Sequence, residues 1–489
     1  MRAAYDAATI RAAEAPLLES LPVGTLMQRA AAALARRCAS LLERVYGSRV
    51  VLLVGSGGNG GDALYAGARL AARGARVDAL LLTDSPLVPA LSALHGAGGR
   101  AVAAGADSDG DVLAAADLVV DGMVGIGATG PLREPMARMA GLLAGGDARV
   151  VAVDVPSGVD ASTGAVPGAA VRADVTVTFG ALKAGLLVDP GAEHAGLVEC
   201  VDIGLDLPPA RITALDATDV GYLLPAPSGE SDKYRRGVLG VVAGSNVYPG
   251  AALLSVGGAA AAGPGMIRFV GTYGPAHVVR LRRPEAVVTE IAAGDADAML
   301  AAGRVQAWVV GPGLGTDVDA RRLVEAALRS DVPVLLDADA VTIVAADPAV
   351  LRGRDAPTLL TPHAGEFARL TGGDRDDIEA HRLERVQEAA RSLEVTILLK
   401  GSTTLVADPS GHVMVNTAAT PYLATAGSGD VLSGVCGALL AGGMGALEAG
   451  AAGAFVHGLA GLVASGEPAR PITATDVIDA ISEAIRLAR

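Results

Sequence analysis

The apolar positions of this 489-residue chain fall into short unbroken blocks rather than long alternations. Arg49-Val50-Val51-Leu52-Leu53-Val54 is such a block, ending in glycines, and it predicts a strand buried on both faces of a parallel sheet. Helix-like and strand-like segments then alternate: Ala63 to Arg73, Val77 to Leu82, Asp117 to Asp121, Met136 to Leu143, Arg149 to Val155 and Asp174 to Phe179. This is the rhythm of right-handed β-α-β crossovers. The first forty-odd residues read as helical, with Thr25 as an N-cap before Leu26-Met27-Gln28.

Near Leu205 to Ser228 the periodicity breaks at Pro208-Pro209, Pro225 and Pro227, which places a domain boundary there. Strand-like runs resume at Val238 to Ala243, Ala307 to Val310, Val334 to Asp337 and Thr396 to Leu399. No fixed-period repeat links the halves, so a solenoid is not expected. The expectation is two different α/β domains, over residues 1–213 and 222–489.

Composition supports that picture. The core relies on Ala, Val, Leu and 64 glycines, with only 3% aromatics, as suits aliphatic packing on a parallel sheet. A net charge of −14 argues against a nucleic-acid partner, because phosphate backbones are held by Lys and Arg. It leaves an anionic metabolite open, since backbone amides and helix N-termini attract phosphate without net positive charge. Cys38, Cys200 and Cys436 lack metal-ligand spacing and read as thiols in a reducing compartment. Residues 1–15 lack the apolar core of a signal peptide, and the apolar stretch Val431 to Ser465 is interrupted by Glu448 and His457. A cytoplasmic protein without a membrane span is expected, and a homo-oligomer.

The chemistry gathers at strand ends. After Val54 the chain reads Gly55-Ser56-Gly57-Gly58-Asn59-Gly60-Gly61-Asp62-Ala63 and enters a helix, so backbone amides and the helix N-terminus can meet an anion. Asn59 and Asp62 add polar oxygens that a mere turn does not need. Two further loops, Asp121 to Pro131 and Asp154 to Asp160, also follow strand-like segments. Carboxyl ends of parallel strands line one crevice, so the three loops should converge. A lone Asp121 or Asp154 would otherwise be a turn or cap residue.

In the second half, Ala424-Thr425-Ala426-Gly427-Ser428-Gly429-Asp430 opens a helix. Its amides can stabilise charge on a transferring phosphoryl group, while Asp430 takes a proton from the attacking hydroxyl. The bland alternative is an N-terminal helix charge worth up to about 1 kcal/mol. Gly311 to Gly315, Leu336 to Ala340, Thr361 to Glu366 and Leu399 to Thr404 accompany it at other strand ends.

These segments carry two resemblances. The first three loops, with Phe179-Gly180-Ala181-Leu182-Lys183-Ala184-Gly185, resemble the NAD(P)HX epimerase family, the YjeF N-terminal domain, over about the first 210 residues. By that resemblance Asn59, Asp121 and Ser157 hold a potassium ion. Gly58, Asn59, Gly60, Gly61 and Asp62, then Gly125, Ile126, Gly127, Ala128, Thr129, Gly130 and Pro131, and Asp154, contact the hydrated cofactor. Asp154 moves the proton and Lys183 adds charge. The family usually has a second Asn and a Gly where this chain has Gly58 and Ala63.

Residues from about 222 to 489 resemble the ADP/ATP-dependent NAD(P)HX dehydratase family, a ribokinase-like fold; Lys233 to Gly237 and Tyr248 to Ala251 share the likeness. The resemblance implies Ala252, Gly313, His363 and Asp430 against the hydrated cofactor. It puts Lys400, Gly401, Ser402, Thr403, Thr404 and Gly429 on the nucleotide, with magnesium accompanying ADP. The segment Ala419-Thr420-Pro421-Tyr422-Leu423 departs from the family pattern.

The implied architecture is an N-terminal Rossmann-like three-layer sandwich and a C-terminal ribokinase-like domain, both doubly wound. The implied activity is a bifunctional repair: epimerisation of R and S NADHX and NADPHX, then ADP-dependent dehydration of the S form to NAD(P)H, AMP and phosphate. One rival is a ribokinase-like kinase for a small alcohol such as a vitamin precursor, fused to a ligand-binding or scaffold module. The fused N-terminal half weighs against the kinase, and Asn59, Asp62, Asp121 and Asp154 weigh against a mere scaffold.

Overall fold

The computed structural model describes residues 1–105 and 108–489. The chain divides into two compact units, Ala3–Ile212 and Thr213–Arg489, Met1–Arg2 grouping with the second.

The sheet of the N-terminal unit contains β1 (Arg49–Val54), β2 (Arg76–Leu81), β3 (Arg100–Ala103), β4 (Leu118–Gly122), β5 (Arg149–Val153), β6 (Val175–Phe179) and β7 (Leu197–Val201). Their order is β3-β2-β1-β4-β5-β6-β7, and every pair is parallel. Alternate residues of β1 serve opposite faces: Val50, Leu52 and Val54 pack with Ala63 and Leu64, whereas Val51 and Leu53 pack with Leu113 and Met139. Helices therefore cover both faces, as the unbroken apolar run of β1 requires. The strand order reverses between β1 and β4, which fixes the crevice at their carboxyl ends.

In the C-terminal unit the strands are β8 (Val238–Val242), β9 (Met266–Gly271), β10 (Val287–Glu290), β11 (Ala307–Val310), β12 (Val334–Leu336), β13 (Thr358–Leu360), β14 (Thr396–Leu399), β15 (Thr404–Ala407) and β16 (Val413–Asn416). They run β10-β9-β8-β11-β12-β13-β14-β15-β16, parallel through β14 and antiparallel after it. Leu239, Val241, Val309 and Leu335 share one core with the helices Pro249–Ala262, Ser428–Ala441, Ala446–Ser465 and Ala474–Ala488. The helix Ala446–Ser465 is long and apolar enough to cross a membrane, yet Ala449, Val456 and Ala460 are wholly buried inside this unit.

The helix Ser428–Ala441 lies unusually close to Pro249–Ala262. A Cβ on Gly434 would fall 2.1 Å from the Ser255 carbonyl oxygen, and one on Gly258 would fall 2.3 Å from that of Val431. Only glycine permits this approach.

Local differences from the sequence expectation have plain causes. Residues Arg2–Tyr5 form a short strand rather than helix, pairing Ala4 with Leu182 and Tyr5 with Lys183. Thr25 is the first helical residue, not the cap; Gly24 occupies the cap with φ 84°, and the Thr25 hydroxyl donates to the Pro22 carbonyl at 2.6 Å. β3 and β7 lie at the sheet edges and are exposed or half-buried; β3 has only four residues, and Glu199 interrupts β7.

Candidate functional site

The three N-terminal loops converge. The Asn59 side-chain amide, on the first turn of the helix Gly58–Ala71, donates to the carbonyls of Val124 (3.0 Å) and Val153. It ties the ends of β1, β4 and β5 together. A Cβ on Gly125 would sit 2.5 Å from Asn59 Oδ1, so the second loop passes the amide only as glycine.

Asp121 is wholly buried. Its Oδ1 accepts from the Ser157 hydroxyl at 2.7 Å and the Met123 amide at 3.2 Å, and its Oδ2 accepts from the Ser157 amide at 2.8 Å. Burial raises the carboxyl above its ordinary range, and these donors hold it back.

Asp154 adopts φ 68°, a left-handed conformation that costs about 1 kcal/mol for a residue with a Cβ. The turn aims its Oδ1 at three donors: Lys183 Nζ at 2.5 Å, the Thr178 hydroxyl at 3.0 Å and the Phe179 amide at 3.1 Å. Lys183 is 1% exposed and also donates to the Phe179 carbonyl at 2.7 Å. The pair is buried, and every one of these donors meets the same carboxylate oxygen.

A cavity of about 580 Å³ opens beside these groups. Of the residues the sequence singled out, Gly58, Asn59, Asp62, Gly125, Ile126, Gly127, Ala128 and Asp154 line it. Gly60 and Gly61 lie elsewhere, the first against the Gly55 carbonyl and the second against Leu87 and Met27. Thr129, Gly130 and Pro131 continue the second loop beyond the lining. Glu14, from the helix Ala7–Ser20, also faces the cavity. Burial and then Asp154 push its carboxyl upward. No motif marks Glu14 in the sequence.

The C-terminal site is assembled from three neighbouring strand ends. Asp337 follows β12, His363 follows β13 and Lys400 follows β14, with Lys400 bridged in parallel to His363. Lys400 Nζ donates to Asp337 Oδ1 at 2.9 Å and lies 3.9 Å from Glu366 Oε2. The Ser433 hydroxyl donates to Asp337 Oδ2 at 2.6 Å. Burial opposes the Lys400 charge, but Asp337 and Glu366 outweigh it and hold the ammonium above its ordinary range.

Asp430 stands on the first turn of Ser428–Ala441. Burial, then the nearby Asp337 charge, push its carboxyl up to about 7, with Lys400 pulling the other way. A carboxyl poised there is suited to proton transfer at neutral pH. Gly429 passes under Lys400: a Cβ there would lie 3.3 Å from Nζ. Gly313 packs on Tyr248 and on Ala251, next to the buried Ala252.

His363 Nδ1 accepts from the amides of Gly365 (3.0 Å) and Glu366 (3.3 Å), capping the helix Ala364–Thr371. The acceptor role puts the proton of the neutral ring on Nε2, and burial holds the ring below its ordinary range.

Two long-range pairings carry no signal in the sequence, although Ser433 closes the motif that opens at Ala424. Arg382, 1% exposed, donates to the carbonyls of Lys400 and Thr403, each at 3.1 Å, and so pins the loop that contains Gly401 and Ser402 and leads into Thr404. Ser433 reaches Asp337 across 96 residues of sequence.

Two doubly wound units, one with an oxygen-lined crevice and one with a lysine–aspartate pair beside a glycine-opened helix, define a two-domain α/β enzyme. Residues 23–185 match the family described as YjeF-related protein N-terminus, and residues 239–483 match NAD(P)H-hydrate dehydratase. The chain is 49% identical to the bifunctional NAD(P)H-hydrate repair enzyme Nnr of Mycobacterium tuberculosis over 442 residues, 89% of this chain and 88% of that one. It is 35% identical to the enzyme of that name from Corynebacterium glutamicum, covering 79% and 77%. Among solved structures, the Bacillus subtilis ADP/ATP-dependent NAD(P)H-hydrate dehydratase co-crystallised with ATP/Mg2+ is similar at 28% identity and a TM-score of 0.52, over 57% of this chain and 99% of that one. A ribokinase-like superfamily protein of Enterococcus faecalis, 21% identical with a TM-score of 0.50 over 58% and 98%, shares the fold. The chain belongs to the family of bifunctional NAD(P)H-hydrate repair enzymes. That membership decides against the vitamin-precursor kinase.

Proposed function

We propose that residues 1–213 epimerise NADHX and NADPHX and that residues 222–489 dehydrate the S epimer with ADP, in the cytoplasm. The observation that carries the second half is the meeting of Lys400, Asp337 and Ser433 beside Asp430. Asp430 takes the proton from the substrate hydroxyl, whose oxygen attacks the terminal phosphorus of ADP, and AMP leaves. The phosphate ester then eliminates phosphate with loss of a ring proton, restoring the double bond. Phosphorylation is needed because hydroxide leaves poorly and phosphate leaves well.

Lys400, Gly401, Ser402, Thr403, Thr404 and Gly429 hold the nucleotide in this reading; Ala252, Gly313 and His363 hold the hydrated cofactor. Lys400 already meets the Asp337 charge, so magnesium is best supplied on the nucleotide phosphates, where it offsets their charge. In the N-terminal half, Asn59, Asp121 and Ser157 suit a potassium ion. Their donors are all oxygen-bearing, and Asp121 is a buried carboxylate with no Lys or Arg partner among the described residues. The ion would add positive charge where the cofactor's anionic groups enter.

The direct test incubates the full chain with both NADHX epimers, ADP and magnesium, following absorbance of the reduced nicotinamide. Wild type is expected to consume both epimers, and Asp154→Asn to consume one and stall at the uncatalysed rate of interconversion. Equal enzymatic consumption of both by Asp154→Asn overturns the division of labour.

Asp121→Ala is expected to lower epimerase activity and abolish its dependence on potassium, leaving dehydration of the preferred epimer unchanged. Anomalous density between Asn59 and Asp121 after a rubidium soak supports the ion. A loss of stability with unaltered cation dependence would mean that Asp121 serves only its turn.

A further inference from the structure

Asp62 is the carboxylate of the N-terminal cavity whose buried oxygen no donor meets among the described residues. It sits on the first turns of Gly58–Ala71, is 8% exposed, and lines the cavity. Its Oδ1 is buried and accepts no hydrogen bond from the protein. An unmet ionised oxygen in such a place costs several kcal/mol, far more than a helix N-terminus returns. A carboxylic acid there avoids most of that cost, and its proton is free to go to a ligand.

The surroundings favour the acid form. Burial acts first, and the charges of Asp154 and Glu14 add to it, so the Asp62 carboxyl lies well above the ordinary carboxylate range. Positive charge is nearer to its neighbours: Lys183 is bound to Asp154, and Arg11 acts on Glu14. Asp154 is met by a lysine and two further donors, whereas Asp62 has none among the described residues. One carboxyl left unmet and one engaged by a lysine are differently furnished for the roles of acid and base.

We propose that Asp62 is the general acid of epimerisation, with Asp154, which lines the same cavity, as the base. The proposal rests on the epimerase reading above. Hydration of an enamine places the hydroxyl on the carbon beside the ring nitrogen. The Asp62 carboxyl gives its proton to that hydroxyl, the carbon–oxygen bond breaks and water leaves. The nitrogen lone pair closes a carbon–nitrogen double bond, giving an iminium cation. Asp154 takes a proton from a second water as its oxygen bonds to the opposite face of the same carbon. Asp62 ends ionised and Asp154 protonated, and exchange with solvent resets both. Once Asp62 has given up its proton, its carboxylate and that of Asp154 lie beside the cavity and stabilise the iminium.

The test uses the full chain and one purified NADHX epimer without nucleotide, so that epimerisation alone is read by chromatography. Asp62→Asn keeps the shape and removes the transferable proton. Its kcat is expected to fall about 10²–10⁴-fold with little change in KM and with unchanged dehydration of the preferred epimer, which also reports folding. Wild-type kcat is expected to fall as pH rises through the Asp62 pKa, and Asp62→Glu to recover part of the rate. In water labelled with oxygen-18, each catalysed inversion should bring one labelled oxygen into the product. An Asp62→Asn chain with near-wild-type kcat, or catalysed inversion that retains the original oxygen, overturns the assignment. If Asp154→Asn is silent while Asp62→Asn is active, only this inference fails. A wild-type chain that does not epimerise overturns the underlying reading with it.

Discussion

Asp430→Asn is expected to leave a folded chain that dehydrates the cofactor about 10²–10⁴-fold more slowly, the usual contribution of a positioned base and about 3–5 kcal/mol of barrier. ADP should still bind, because Lys400 and its loop are held by Asp337 and Arg382. The pH profile gives a second readout. The carboxyl is pushed up to about 7, and the base must be ionised, so wild-type kcat/KM should rise about tenfold per pH unit below 7 and level off above it. Asp430→Asn should lack that limb.

Stability moves in the opposite sense. The folded state holds this proton more tightly than the unfolded one, whose carboxyl has the ordinary value of 3.8. The wild type therefore loses stability as pH rises from about 4 to 7. At pH 8 the asparagine variant should be more stable by about 1–3 kcal/mol, and at pH 4 the gain should vanish. A wild-type rate in the variant, or a variant less stable at pH 8 than at pH 4 relative to wild type, contradicts this account of Asp430.

Lys183→Met should damage the other unit. It strands Asp154 as a buried anion that keeps only the Thr178 and Phe179 donors. Breaking one side of such a pair typically costs about 3–5 kcal/mol. Epimerase activity should disappear at a lower denaturant concentration than in wild type, while dehydratase activity persists to the same concentration. Lys183→Met with Asp154→Asn should recover much of the stability and none of the epimerisation, since the isosteric amide removes the charge that was left alone. A single variant within 1 kcal/mol of wild type would show that the pair adds little to the fold.

Much of this was legible in the chain because parallel strands buried on both faces advertise themselves. The run Arg49–Val54 is apolar throughout and must end where polar loop residues begin, so the loops after β1, β4 and β5 could be placed before any coordinate. The edge strands β3 and β7 were not legible, since β3 is a four-residue run of mostly small side chains and Glu199 breaks the apolar pattern of β7. Glu14 was hidden for a different reason. It reaches the cavity from an N-terminal helix whose pattern reports only that the helix packs, not what it packs beside. Asp337 stands in a quoted motif, but its meaning depends on Lys400, 63 residues away, and Ser433, 96 residues away. Pairings of that range are properties of sheet order, which short windows do not contain.

The glycine contact between the helices Ser428–Ala441 and Pro249–Ala262 constrains any attempt to harden this enzyme. Replacing helical glycine by alanine is ordinarily a safe stabilising step, worth about 0.4–1 kcal/mol through the unfolded chain. At Gly434 the added methyl would meet the Ser255 carbonyl oxygen at 2.1 Å, so the helix would have to lift. Asp430 rides one turn earlier on the same helix, and Ser433 holds Asp337 from the adjoining position. A methyl group with no chemistry of its own would thus shift both ends of the phosphoryl-transfer site together. Thermal robustness must be sought elsewhere on the molecule, because here the spacing of two backbones sets the aim of the reacting groups.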